Sequence, residues 1–156
     1  MQLIDLLAPS RVVAGAGATS KKRLLETLAR LLADNAGPDI ERELFDSLCA
    51  REKLGSTGLG QGVAIPHGRT AAIANAVGAF LRLGEPIDFG SSDGRPVDLV
   101  FALAVPQHFT NQHLLLLSQL AEMFSDAAFC ERLREAPDSA ALMALLTEWQ
   151  LAHAGS

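Results

Sequence analysis

The run Pro96–Val105 restricts the fold of this 156-residue chain more than any other feature. It reads PVDLVFALAV and is the clearest central strand of the sequence, with Pro106 at its end. A second run, Ala76–Leu83, is mostly apolar and alternates poorly, which predicts a strand that is buried on both faces. Because helical patterns lie before and after these strands, the sequence indicates a single α/β domain.

Apolar spacing and capping residues place the other elements. Leu3–Leu7 predicts one helical turn, and Arg11–Ala14 predicts a first strand that closes at Gly15 and Gly17. The predicted helices cover Lys21–Asp34, Asp39–Lys53, Asn111–Phe124, Asp126–Glu135 and a last segment that ends near Leu151.

Three local predictions concern caps and faces. Thr19 or Ser20 is expected to cap the first long helix, and Asp39 the second. Arg69–Asn75 is expected to be a connection or a helical turn. The expected buried stripe of the helix that follows the central strand consists of Leu114, Leu117, Leu120 and Ala121.

Composition restricts the class of protein. With 49% apolar residues, the chain is expected to form one domain over residues 1–156, with its core between about residues 3 and 151. A net charge of −5, with no basic cluster beyond Lys21–Arg23, argues against a nucleic-acid partner, and that trio is expected to be a solvated helix turn. The absence of a signal peptide or long apolar run predicts a cytoplasmic protein without membrane insertion. Cys49 and Cys130 lack metal-ligand spacing and are expected to be core residues.

The stretch Gly55–Arg69, which reads GSTGLGQGVAIPHGR, is the candidate functional site. Its glycines allow backbone N–H groups to approach an anion closely. Pro66 stiffens the chain before His67 and Gly68 leaves space after it, so His67 is expected to point into a cleft at a strand exit. A neutral imidazole is a usable nucleophile, but a histidine in such a place is also common as a turn residue. The residue types alone leave both alternatives open.

The residues around His67 resemble a known family. Glu52, followed by Leu59-Gly60 and then by Val63–Gly68 (VAIPHG), is similar to the phosphohistidine signature of phosphotransferase-system IIA domains of the fructose/mannitol type, the EIIA type-2 domains. The run Arg51–Gly58 resembles in particular the nitrogen-regulatory branch of that family. The resemblance covers nearly the whole chain and implies a single three-layer α/β/α sandwich around a mixed β-sheet.

The resemblance also implies a reaction, the transfer of a phosphoryl group between histidines. His67 would accept the phosphoryl group, on Nε2 in family members, and His113 would hydrogen-bond a phosphoryl oxygen. Two strands that leave the sheet at one edge could bring these histidines together. Arg51 would bind phosphate oxygens, for which a guanidinium is well shaped. The further candidates for phosphate binding are Ser56, Thr57, Gly58, Gly60 and Gly68.

The implied partners follow from the family. The donor would be an HPr-like phosphocarrier or its nitrogen-branch counterpart, and the targets would be regulatory proteins such as potassium-transport proteins or sensor kinases. No metal and no cofactor is expected, since the phosphoryl group derives from phosphoenolpyruvate through carrier proteins.

Two alternatives to this regulatory function remain. The first is a sugar-specific IIA component that passes phosphate to a separate IIB protein. The second is a binding module that is never phosphorylated, or a metal binder that uses His67, His108 and His113. In the favoured interpretation, His108 and His153 take no part in phosphoryl transfer.

Overall fold

The computed structural model of the chain describes residues 2–108 and 111–153. Its strands are β1 (Val12–Ala16), β2 (Gly58–Gly60), β3 (Val63–Ala64), β4 (His67–Thr70), β5 (Val77–Ile87) and β6 (Val97–Pro106). They form one mixed sheet of order β1-β5-β6-β3-β2, in which β4 also pairs with β6. β5 and β6 are antiparallel, whereas β1 is parallel to β5, and β3 and β4 are both parallel to β6.

The helices agree with the sequence prediction to within two residues at each predicted end. They are α1 (Lys21–Ala33), α2 (Pro38–Lys53), α3 (Asn111–Ser125), α4 (Ala127–Glu135) and α5 (Ser139–Ala152). The predicted N-terminal turn is a 3-10 helix over Leu3–Leu6, and a second 3-10 turn covers Pro9–Arg11. Ser20 caps α1 as predicted, since its side chain accepts a hydrogen bond from the N–H of Arg23.

The side chains of β6 show how the three layers are built. Its odd-numbered residues from Leu99 to Val105 are buried in the apolar cluster formed with α3, α4 and α5. Its even-numbered residues from Val100 to Ala104 are buried in the cluster formed with α1 and α2. A strand whose two faces are both covered belongs to a central layer, so the predicted α/β/α sandwich is confirmed.

The strand path that carries His67 is broken in the middle. β3 pairs with Leu99 and Val100, and β4 resumes the same parallel pairing with β6 at His67, opposite Leu103. Pro66 has no N–H to donate, but its carbonyl accepts a hydrogen bond from the N–H of Leu103 at 3.0 Å. The prediction that His67 lies at a strand exit, followed by a connection, was therefore wrong: His67 begins a second short strand.

Three other boundaries differ from the prediction. Asp39 does not cap α2, because Gly37 holds the N-cap position at φ 116° and Pro38 is the first helical residue. Gly15 lies inside β1, at φ 74°, where the pairing with β5 shifts in register. β5 continues to Ile87, because its end still pairs with the start of β6.

The buried face of α3 is rotated from the predicted one. Leu120 is buried and Leu117 is partly buried, but Leu114 is 66% exposed and Ala121 is also exposed, so those two assignments were wrong. The buried residues of α3 are His113, Leu116, Leu120, Met123 and Phe124. The unbroken run of four leucines from residue 114 to 117 offers apolar side chains at every angle, so the apolar spacing cannot fix the face. The helix places His113 inward, towards the sheet.

Candidate functional site

His67 lies at the start of β4, with 8% of the residue exposed. Its Nδ1 is 2.8 Å from the carbonyl oxygen of Ile65. Since a carbonyl oxygen can only accept, Nδ1 carries a proton, and in the neutral ring Nε2 is then unprotonated. Burial lowers the pKa of His67 from its ordinary 6.5, more than the bond to Ile65 raises it. At neutral pH the site therefore presents an uncharged imidazole with a free electron pair on Nε2.

His113, in the first turn of α3, faces His67. The two ring centroids are 5.3 Å apart and the ring planes meet at 77°, edge to face. Nε2 of His113 is buried and has no hydrogen-bond partner within the described part of the chain. Burial, followed by the charges of His67 and Arg69, lowers the pKa of His113 to about 4. The predicted proximity of the two histidines is confirmed, and a buried ring nitrogen without a partner is a group that a ligand can satisfy.

Two arginines place positive charge around the paired rings. Arg51 lies in the last turn of α2, where its Nη1 donates to the carbonyl oxygen of Gly55 at 2.9 Å. Its charge contributes to lowering the pKa of His67, and the charge of Arg69 contributes to lowering that of His113. Both guanidinium groups are therefore in electrostatic reach of the rings. Sequence analysis named Arg51 but missed Arg69, although Arg69 lies only two residues after His67.

The two hydroxyl groups proposed for phosphate binding have partners in the protein. The hydroxyl of Ser56 donates to the carbonyl oxygen of Phe89 at 3.1 Å. The hydroxyl of Thr57 donates to the carboxylate of Glu52, and Thr57 is only 5% exposed. In this arrangement both hydroxyl groups hold the glycine-rich segment in place, and their protons are not directed to a ligand.

The three candidate glycines are required by space and backbone angle. A Cβ on Gly58 would lie 2.2 Å from Oγ of Ser91, and one on Gly68 would lie 2.2 Å from Oγ of Ser47 in α2. Gly60 has φ 88°, a conformation that favours glycine. The close approach of Gly68 to α2 keeps β4, and with it His67, next to the helix end that carries Arg51. Their role in phosphate binding stays a prediction.

The family model described as "Phosphoenolpyruvate-dependent sugar phosphotransferase system, EIIA 2" matches residues 5–149. The chain belongs to this family. EIIA type-2 membership supports a phosphotransfer-carrier role for the chain.

Individual relatives point to one branch of the EIIA type-2 family. The "Nitrogen regulatory protein" of Pseudomonas aeruginosa is 43% identical over 150 residues, which cover 96% of this chain and 97% of that protein. The crystal structure of the nitrogen regulatory protein IIA-Ntr from Neisseria meningitidis has a TM-score of 0.86 at 44% identity, with 92% of this chain and 98% of that chain covered.

A more distant relative shares the fold. The crystal structure of IIA mannitol from Escherichia coli has a TM-score of 0.75 at 23% identity, covering 90% of this chain and 98% of that chain. At this identity the likeness extends to the fold alone. The predicted family and fold are thus confirmed, with the higher identity on the nitrogen-regulatory side.

The remaining histidines of this EIIA type-2 chain do not join the site as a metal centre. Within residues 2–108 and 111–153, no three His, Cys, Asp or Glu side chains are arranged to hold a metal ion. His153 lies at the end of α5, where its ring stacks on Trp149 at 4.0 Å between centroids. Across the same described residues, no helix has the length and apolar character needed to span a bilayer.

Proposed function

We propose that the chain is a phosphohistidine carrier and regulator of the nitrogen-branch phosphotransferase system, with Nε2 of His67 as the phosphoryl acceptor. One observation carries this proposal: His67 presents an unprotonated Nε2 beside the buried, unpartnered Nε2 of His113. The first group is a nucleophile and the second is a polar atom that lacks a partner. A phosphoryl group on His67 would bond to the first nitrogen, and its oxygens would give the second nitrogen a hydrogen-bond partner.

The reaction needs no base from the protein. The donor is the phosphohistidine of an HPr-like phosphocarrier of the nitrogen branch. Nε2 of His67 attacks phosphorus in line, the P–N bond to the carrier's imidazole breaks, and the P–Nε2 bond forms. Each ring keeps the proton on its other nitrogen, so the carrier leaves as a neutral imidazole. The carbonyl of Ile65, which accepts from Nδ1, stabilises the positive charge that develops on the His67 ring.

The surrounding groups stabilise the transferring phosphoryl group by position and charge. We assign Nε2–H of His113 as a donor to one phosphoryl oxygen, which removes the cost of its unpartnered burial. Arg51 and Arg69 supply positive charge to the equatorial oxygens. The backbone N–H groups of the Gly55–Gly62 segment are further donors. No metal is needed, because these groups already offset the charge.

The proposed regulation depends on a change of charge near exposed apolar residues. Leu54, Leu114 and Leu115 are 85%, 66% and 63% exposed, and each lies within a few residues of a site residue. Phosphorylation adds a charge of about −1.5 to −2 on one side chain, which is enough to alter binding of a partner protein. Potassium-transport proteins or sensor kinases are the proposed targets, and the chain is proposed to act in the cytoplasm. The identity to nitrogen regulatory proteins favours this branch over the sugar-specific one.

A reconstituted transfer reaction tests the proposal. The purified chain is mixed with phosphoenolpyruvate, enzyme I and a nitrogen-branch carrier, and intact mass is measured with and without acid treatment. Wild type should gain one acid-labile phosphoryl group. His67→Ala should gain none. His153→Ala, which changes the histidine directly after α5, should be phosphorylated at the wild-type rate.

Any one of three results would overturn the proposal. Wild type without an adduct, with sugar-branch or nitrogen-branch carriers, would leave a pure binding module. An adduct that persists in His67→Ala would place the acceptor elsewhere. Rapid transfer onward to the cysteine of a IIB protein would assign the chain to sugar transport instead of the nitrogen branch.

A further inference from the structure

A buried carboxylate beside the phosphoryl site requires an explanation. Glu52 lies in the last turn of α2 with a side chain that is only 5% exposed. Its negative charge acts on His67, where it opposes the lowering of the pKa by burial and by Arg51. A carboxylate in electrostatic reach of a site for a phosphoryl dianion costs free energy through like-charge repulsion. Its presence therefore indicates a role that compensates for this cost.

The carboxylate of Glu52 holds Thr57, which lies in the Gly55–Gly62 segment. Both of its oxygens accept from the N–H of Thr57, at 3.1 and 3.2 Å, and Oε1 also accepts from the Thr57 hydroxyl. Nζ of Lys21 lies 3.4 Å from Oε2, donates to the carbonyl of Phe89 and sits 4.4 Å from the centre of the Phe89 ring. Lys21–Arg23 is the first turn of α1 as predicted, but Lys21 is only partly exposed because it pairs with the buried carboxylate.

From Thr57 a continuous series of hydrogen bonds reaches His67. The carbonyl of Thr57 accepts from the N–H of Ile65 at 3.1 Å. The carbonyl of the same Ile65 accepts from Nδ1 of His67 at 2.8 Å. Ile65 is therefore held on one side by Thr57 and holds His67 on the other. Any shift of Thr57 moves the acceptor that decides which nitrogen of His67 carries the proton.

We propose that Glu52 is a positioning residue for His67: through Thr57 and Ile65 it fixes the tautomer that leaves Nε2 free for the phosphoryl group. The proposal rests on the proposed phosphoryl-acceptor function. Glu52 does not act as a base, because the proton of Nδ1 is donated to a carbonyl and not to this carboxylate. Nζ of Lys21, 3.4 Å from Oε2, balances the negative charge of Glu52.

Nuclear magnetic resonance of the histidine rings tests this inference without any phosphoryl donor. In ¹⁵N-histidine-labelled wild type at neutral pH, His67 should show one protonated and one unprotonated nitrogen, with Nδ1 protonated. Glu52→Ala should give averaged shifts that indicate a mixture of tautomers. Glu52→Gln, which keeps an acceptor for Thr57, should restore the wild-type pattern. Glu148→Ala, which removes an exposed ion pair of α5, is the matched control.

Phosphorylation rates complete the test. The rate constant for transfer from the carrier should fall roughly 10- to 100-fold in Glu52→Ala, as expected for a misplaced reacting group, and recover in Glu52→Gln. A slower Glu52→Ala protein with wild-type ring shifts would overturn the proposal, because the residue would then act on stability alone. If Glu52→Ala does not fold, Thr57→Val replaces it, and unchanged ring shifts in that variant would also overturn it. If wild type accepts no phosphoryl group, the proposed function fails while the ring shifts still decide the role of Glu52.

Discussion

The burial of His113 makes folding stability depend on pH in a way that can be calculated. Its pKa is about 4 in the folded protein and 6.5 when unperturbed. Between these two pH values His113 binds a proton in the unfolded chain but not in the folded chain. The contribution of His113 to the free energy of unfolding is therefore fully present above about pH 6.5 and is lost as pH falls towards 4. A difference of 2.5 between these pKa values corresponds to a loss of about 3 kcal/mol once pH is below both.

The measurable part of this loss lies at mild pH. Between about pH 7.5 and about pH 5, the same two pKa values give a contribution from His113 of about 2 kcal/mol. His113→Gln removes the titrating group and should be less sensitive to acid by that amount. His67 also has a lowered pKa, but it is present in both proteins, so the difference between them isolates His113.

Urea unfolding at a series of pH values checks this prediction. Far-ultraviolet circular dichroism is the appropriate probe, because the single tryptophan, Trp149, stacks on His153 and its fluorescence would respond to that ring. The free energy of unfolding of His113→Gln relative to wild type should rise by about 2 kcal/mol from about pH 7.5 to about pH 5. An identical pH dependence in the two proteins would refute the reasoning, and a ring titration of His113 near pH 6.5 by nuclear magnetic resonance would show why.

Two further predictions concern packing around the site. Gly68→Ala should destabilise the fold by about 1–3 kcal/mol in urea, because its Cβ would lie 2.2 Å from Oγ of Ser47, whereas Gly17→Ala has open space around it and should be nearly neutral. Equal effects of the two substitutions would contradict this. Arg82→Met should lower the free energy of unfolding by about 1–3 kcal/mol, because Nη1 of Arg82 donates to the carbonyl of Leu133 at the end of α4. Amide hydrogen exchange should become faster in α4 than in α1. Unchanged exchange in α4 would contradict it.

Sequence reasoning predicted the elements best where one local pattern decides. The cap and apolar spacing of α1 were sufficient to predict that helix, and the apolar run Leu99–Val105 was sufficient to predict β6. It failed where a distant partner decides. β4 is a strand only because β6 lies beside it, and four adjacent leucines could not reveal that His113 would occupy the buried face of α3.

The residues of the site also fall into those that local sequence indicates and those that depend on a distant partner. The resemblance to the EIIA type-2 family points to His67 and His113, and the structure brings their rings together. The engagement of the Ser56 hydroxyl depends on Phe89, which is 33 residues away in sequence. The contribution of Lys21 to Glu52 likewise crosses between helices and leaves no local pattern. Contacts of this kind cannot be read from spacing in a single sequence.

The break between β3 and β4 has a consequence for the balance between stability and reactivity. In an unbroken strand, both the N–H and the C=O of Ile65 would belong to the sheet ladder. Here the N–H still bonds to Thr57, but the C=O is released to the ring of His67. A substitution of Pro66 that repaired the ladder would give a more regular sheet whose histidine had lost its acceptor. The chain thus gives up part of the sheet's regularity where a backbone carbonyl sets the proton position of His67.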